Sequence, residues 1–217
     1  MTETNFESMR RAMVSNQLRT WAVSDPRVVS AMGTVAREAF VPTDRAALAY
    51  VDTLMPVSEG RALNTPATTG RLLTTLGVHA GEKVLVIGAA TGYSAALLGQ
   101  LGAAVVALEE DQALVDAASK ALAGHAHVAV VKGPLAQGWS QGAPYDAILI
   151  DGAVEHVPDA IKAQLKDGGR LAGGIVERGV TRLASGRKAG NALALTDFVD
   201  AETAILPGFA SPKGFVF

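Results

Sequence analysis

The 217-residue sequence contains no cysteine. That absence excludes disulfide frameworks, zinc fingers, iron–sulfur clusters and thiol nucleophiles together, and it permits a cytoplasmic location. Charge is also sparse. Charged residues are 18% of the chain, with 19 Lys+Arg against 21 Asp+Glu and a formal net charge of -2. A near-neutral chain exerts no general attraction on nucleic acid, so no nucleic-acid partner is expected. No apolar run approaches the roughly 18 residues of a transmembrane helix. Residues 1–5 show neither the basic start nor the apolar stretch of a signal peptide, so no membrane association is expected. His79, His125, His127 and His156 lack ligand spacing with one another and an acid on one helix face, and no metal is expected.

What the sequence does have is small and apolar residues: 49% hydrophobic, with 23 glycines. A chain of this size can bury roughly 70% of its unfolded surface without staples. Helical spacing predicts a first helix over 7–20. The cap-plus-proline pairs Asp25-Pro26 and Thr65-Pro66 open two more, the second closed by Gly77. Residues 42–59 give mixed signals. From Lys83 onward strands and helices alternate. Strands are expected at 83–87, 104–108, 128–131, 147–150 and 170–176, with helices up to 101, over 111–123 and over 157–165. Such alternation argues a doubly wound α/β fold, a mostly parallel sheet covered on both faces. Segments 182–184, 192–199 and 215–217 read as an antiparallel C-terminal edge.

The first of these strands runs into Gly88-Ala89-Ala90-Thr91-Gly92 and then a helix start. Small residues there let backbone N–H groups approach a ligand, and the helix dipole favours negative charge. Dinucleotide enzymes place glycines at the first, third and sixth loop positions, here Gly88, Ala90 and Tyr93, and Tyr is too bulky. S-adenosylmethionine enzymes use the first, third and fifth, here Gly88, Ala90 and Gly92, which fits better. A tight turn that binds nothing is the alternative. The second strand ends at Glu109, where a carboxylate can accept both ribose hydroxyls or simply cap the next helix. Asp151 ends the fourth strand, the side on which ligands of parallel sheets sit. Trp21 and Trp139 read as packing anchors.

These features sit within a longer pattern that resembles the protein-L-isoaspartate O-methyltransferase family over nearly the whole chain. Met13-Val14, Gln17-Leu18, Asp25-Pro26 and Ala31-Met32 begin it. Arg37-Glu38-Ala39-Phe40-Val41-Pro42 is similar to the family's R-E-x-F-V-P, and Ala49-Tyr50-Val51-Asp52 to its A-Y-x-D. Gly92-Tyr93-Ser94-Ala95-Ala96 is similar to its G-Y-x-A-A, and residues 143–148 to its A-P-(F/Y)-D-A-I. Pro158, Gln164-Leu165 and Gly168-Gly169-Arg170-Leu171 complete the series.

The resemblance implies an S-adenosylmethionine-dependent methyltransferase of Rossmann-like fold that methylates the free α-carboxylate of isoaspartyl residues. The ester then collapses to a succinimide that can reopen as normal Asp, a repair reaction in the cytoplasm. Isoaspartyl proteins or peptides would be the partners, and the chain a monomer or weak homo-oligomer. It implies one unit over 1–217: an N-terminal helical extension and active-site segment over 1–64, and a cofactor-binding core over 65–217. Gly88, Ala89, Ala90, Gly92, Tyr93, Glu109, Gly133 and Pro134 would hold the cofactor. Asn64 and Thr65 would be catalytic, and Arg61, Leu63 and Asp151 would meet the substrate. The sequence departs from the family where Val86 replaces an acid, Ala90 a glycine, Gly133-Pro134-Leu135 the family's G-D-G, and residues 60–66 its G-Q-T-I-S-Q-P. Those departures support an alternative, a fold kept as a binding or regulatory module.

Overall fold

A computed structural model describes residues 5–211. Helix α1 (Phe6–Met13) starts where the Asn5 side chain accepts the Ser8 N–H at 2.9 Å. It continues as a π-helical turn, Val14–Leu18, so the expected helix over 7–20 is two unlike pieces. Asp25 caps α2 (Pro26–Thr34) by accepting the Arg27 N–H. Two short 3₁₀ turns follow. A small antiparallel hairpin, β1 (Met55–Ser58) and β2 (Arg61–Leu63), then turns at Gly60 with φ +67°. The extension is therefore not purely helical. The Thr65 hydroxyl accepts the Thr68 N–H at 3.1 Å to open α3 (Pro66–Leu76), and left-handed Gly77 closes it.

The remaining strands form one sheet: β3 (Lys83–Ile87), β4 (Ala104–Glu109), β5 (Val128–Lys132), β6 (Tyr145–Val154), β7 (Leu165–Glu177), β8 (Val180–Ala189) and β9 (Ala192–Asp200). Their order is β5-β4-β3-β6-β7-β8-β9. Pairing is parallel from β5 to β7 and antiparallel from β7 to β9. The helices among them are α4 (Tyr93–Gln100), α5 (Gln112–Ala121) and α6 (Asp159–Ala163). The fold is α/β with a mostly parallel sheet, and the antiparallel edge is longer than expected. The segment 215–217 lies outside the described residues.

Strand side chains alternate between faces. Val84, Val86, Val105, Ala107 and Leu149 join the larger core, with Met32, Leu72, Leu73, Leu97 and Leu98 from the helices. Leu85, Ile87, Leu108, Ile148 and Ile150 join the other. The two faces are covered unequally. Among the described α-helices the second core has only the five-residue α6, and it gains Leu135 from a 3₁₀ turn and Leu206 and Phe209 from irregular chain. Leu206 and Phe209 are 4% and 1% exposed, and each such burial contributes about 1.5–3 kcal/mol.

Candidate active site

Strand order reverses between β3 and β6, because β4 and β5 lie to one side and β7 to the other. In open α/β sheets the crevice at the carboxyl ends of such strands is where ligands sit. Three expected site residues stand at this edge: Gly88 just after β3, Glu109 ending β4, and Asp151 near the end of β6.

The loop after β3 is shaped by its donors. Gly88 and Ala89 both give their N–H to the Leu108 carbonyl at 3.0 Å. Ala90, with φ +49°, gives its N–H to Glu109 Oε2 at 2.8 Å. Gly92 begins α4 with φ +97°, and a Cβ there would lie 2.6 Å from Leu122 Cδ1, so only glycine fits. Tyr93 points into the larger core rather than to the loop. It is 1% exposed, with the Arg37 guanidinium 4.7 Å from its ring centre, and burial pushes its phenol pKa up. Gly133 gives its N–H to the Glu109 carbonyl, and Pro134 starts the short turn 135–137.

Glu109 is fully buried and its carboxylate is crowded. Arg61 Nη1 donates to Oε1 at 2.5 Å and Nη2 to Oε2 at 2.7 Å. Glu110 and Asp111 add their N–H groups to Oε1 at 2.9 and 3.2 Å. With Ala90 these donors fill the roughly four lone-pair positions that a carboxylate offers. Arg61, expected at a substrate, is 6% exposed and faces this acid instead. The reason is local: β2 runs past the end of β4, and a cation buried beside a carboxylate pairs with it.

Asp151 is a different kind of acid. Asn64 Nδ2 donates to its Oδ1 at 2.9 Å. Burial pushes its carboxyl pKa up, against hydrogen bonds from Ser94 and Asn64 and the more distant charges of Arg37 and Arg61. Asn64 has both amide atoms engaged, because its Oδ1 also accepts the Ala204 N–H at 3.0 Å. The Thr65 hydroxyl caps α3. Leu63, expected at the substrate, is 3% exposed in the larger core, since alternation along β2 turns it inward.

Arg37 holds this edge to the N-terminal segment, a role its motif alone did not reveal. It is fully buried, donating from Nε to the Ala49 carbonyl and from Nη2 to the Asn64 carbonyl, both at 2.7 Å. Nearby, the Tyr50 hydroxyl donates to Glu38 and accepts from Arg10 Nε. Burial, with Glu38 beside it, pushes the Tyr50 pKa up to about 12.

Sequence reasoning also missed what lies over Gly88. A Cβ on Gly88 would lie 2.7 Å from Leu206 Cδ2, and one on Gly152 would lie 2.8 Å from Leu206 Cγ. Leu206 therefore spans the crevice between β3 and β6. Residues 206–209 pack as irregular chain. Ala153 N–H donates to the Ala204 carbonyl at 2.7 Å, and Leu206 N–H to the Ala153 carbonyl at 2.9 Å.

Open space lies to either side. One groove of about 480 Å³ is bordered by Phe40, Thr91, Leu114 and Lys120. Another of about 520 Å³ is bordered by Pro56, Arg61, Thr203 and Ile205. Neither is lined by Gly88, Gly92 or Glu109. Among the described residues no three His, Asp or Glu side chains gather as a metal site.

The sequence pattern of the protein-L-isoaspartate(D-aspartate) O-methyltransferase family matches residues 8–202. Protein-L-isoaspartate O-methyltransferase 1 of Rhodopseudomonas palustris (strain HaA2) is 41% identical over 170 residues, 77% of this chain and 69% of that protein. The protein-L-isoaspartate O-methyltransferase of Methylorubrum populi is 40% identical over 166 residues, 76% of this chain and 78% of its own. Among solved structures, a protein-L-isoaspartate O-methyltransferase superposes with a TM-score of 0.79 at 23% identity, covering 92% of this chain and 66% of that one. A Plasmodium falciparum protein of the same description, in complex with S-adenosyl-L-homocysteine, superposes with a TM-score of 0.77 at 18% identity, covering 94% and 99%. At those identities the superpositions speak for the fold.

Proposed function

The chain belongs to the protein-L-isoaspartate O-methyltransferase family, and from that premise we propose that it transfers the methyl group of S-adenosylmethionine to the free α-carboxylate of isoaspartyl residues in proteins or peptides. The observation that carries this reading is the family match across 195 positions (8–202), laid over a sheet whose glycine turn and strand-end acid meet at the switch point. Repair of aged proteins and a cytoplasmic setting belong to the same reading. Among the described residues no helix is long and apolar enough to cross a membrane.

The bound cofactor supplies an activated methyl group. An acceptor carboxylate is already nucleophilic, so the protein needs no dedicated general base. Its share is alignment and exclusion of water, an effect on the order of 7–11 kcal/mol. Asn64 fixes the crevice floor by bridging Asp151 and the Ala204 amide. Arg37 fixes Asn64 from behind.

In the conformation described, the crevice does not fit the cofactor. Glu109 has no lone pair free for a ribose diol, and Leu206 lies against Gly88. The test is methyl transfer from labelled S-adenosylmethionine to an isoaspartyl peptide and its normal Asp twin. Label in the isoaspartyl peptide alone is expected. Label in both, or in neither while the cofactor binds, would move the reaction to another acceptor.

A further inference from the structure

We infer that Arg61 and the segment 203–206 are the chain's own occupants of the cofactor crevice, so that cofactor enters only where they withdraw. The inference rests on the proposed function, since it concerns access to that same crevice.

Two independent contacts point to it. Arg61 presents two parallel N–H groups to the two oxygens of Glu109, the geometry in which a vicinal diol would meet that acid. Leu206 fills the space above the first loop glycine and above Gly152. These contacts come from separate parts of the chain, β2 and the stretch beyond β9, which border one groove. Together they cover the sugar-facing acid and the glycine turn.

The cover is also incompletely satisfied. Among the described residues, Arg61 Nε and Thr203 Oγ1 are buried and meet no hydrogen-bond partner. Ile205, between two buried residues, is 62% exposed. Among the described residues the backbone of 203–206 is held by three bonds: Ala204 N–H to Asn64, Ala153 N–H to Ala204, and Leu206 N–H to Ala153. Segments with few backbone bonds open locally at lower free energy than the strands beneath them. A site open for only a fraction of the time binds with its affinity reduced by that fraction. An open population of about one in a hundred would weaken cofactor binding about a hundredfold.

The two lids can be loosened separately. Arg61→Gln places the family's own residue type beside Glu109, and Leu206→Ala shortens the side chain over Gly88. S-adenosylhomocysteine is titrated by calorimetry into wild type and each variant, with thermal unfolding as a check on folding. Amide hydrogen exchange at 203–206 is followed in wild type with and without it, which needs no variant. Each variant is expected to bind about tenfold or more tighter than wild type, and exchange at 203–206 is expected to speed up when S-adenosylhomocysteine binds. Equal or weaker binding by the folded variants, or unchanged exchange in the bound wild type, would overturn the inference and leave the function standing. No binding by any form at millimolar S-adenosylhomocysteine would instead remove the proposed cofactor.

Discussion

The carboxyl ends of β4 and β6 each present a buried acid to the same crevice, and the two are stabilised in opposite ways. Glu109 meets a guanidinium and three backbone N–H groups. Asp151 meets a neutral amide, and burial raises its pKa. The difference shows that burial alone does not set an acid's character at such an edge. What sets it is which chain segment crosses in front. At β4 this is Arg61 of the hairpin. At β6 it is Asn64, held between Arg37 and Ala204.

The contrast can be broken most forcefully at β4. Glu109→Ala strands a buried guanidinium and should cost about 3–5 kcal/mol. Thermal unfolding should show a fall in Tm of about 2–4 °C for each kcal/mol in a chain of this size. Replacing both partners, Arg61→Leu with Glu109→Leu, should recover only part of the loss, because the Ala90, Glu110 and Asp111 N–H groups still lack an acceptor. Full recovery would mean that the pair alone matters.

Next in size is Leu206→Ala, which empties the space over Gly88 and Gly152. About 2–3 kcal/mol is expected in a denaturant melt, toward the low end for such a truncation because irregular chain can relax. A loss below about 1 kcal/mol would show that the cover carries little of the second core.

Thr65→Ala touches neither acid and serves as the reference. Losing the cap of α3 should cost about 1 kcal/mol. Any larger loss would couple the active-site segment to the acids through Asn64.

The last change, at Asp151, sharpens the contrast through pH. Its folded pKa lies above the unfolded value. Between the two, the folded chain keeps a proton that the unfolded chain has released, so stability falls as pH rises through that window. Asp151→Asn keeps an acceptor for Asn64 and escapes this loss. Its Tm should exceed that of wild type at neutral pH, and the advantage should vanish below the ordinary carboxylate range near about pH 4. An advantage that does not change with pH would mean that the Asp151 carboxyl has the same pKa folded as unfolded.

The fold was legible where its causes are local. Asp25-Pro26, Thr65-Pro66 and Gly77 mark helix ends through caps and backbone geometry that neighbours decide, and the alternating β3 to β7 pattern marks the sheet. The hairpin was not legible, because 55–63 gives no clean alternation and its pairing turns on one glycine. Nor was the π-helical turn, whose residues keep ordinary helical spacing. At the crevice, the positions of Gly88, Glu109 and Asp151 followed from strand ends. Their partners did not: Arg61 lies 48 positions before Glu109, and Ala204 lies 140 after Asn64. Arg61, expected at the substrate, instead pairs with an acid inside the chain. The bulk over Gly88 comes from chain beyond the sheet, which no periodicity connects to the loop.

The position of Leu206 in chain order has a further consequence. Every strand that frames the crevice, from β3 to β7, precedes it. During synthesis, residues 206–209 emerge after all of these strands. A chain that ends before them has Leu135, Val157 and α6 on the second face but lacks the cover over Gly88 and Gly152. Such a chain leaves exposed the apolar sheet surface that Leu206 and Phe209 hide in the mature protein.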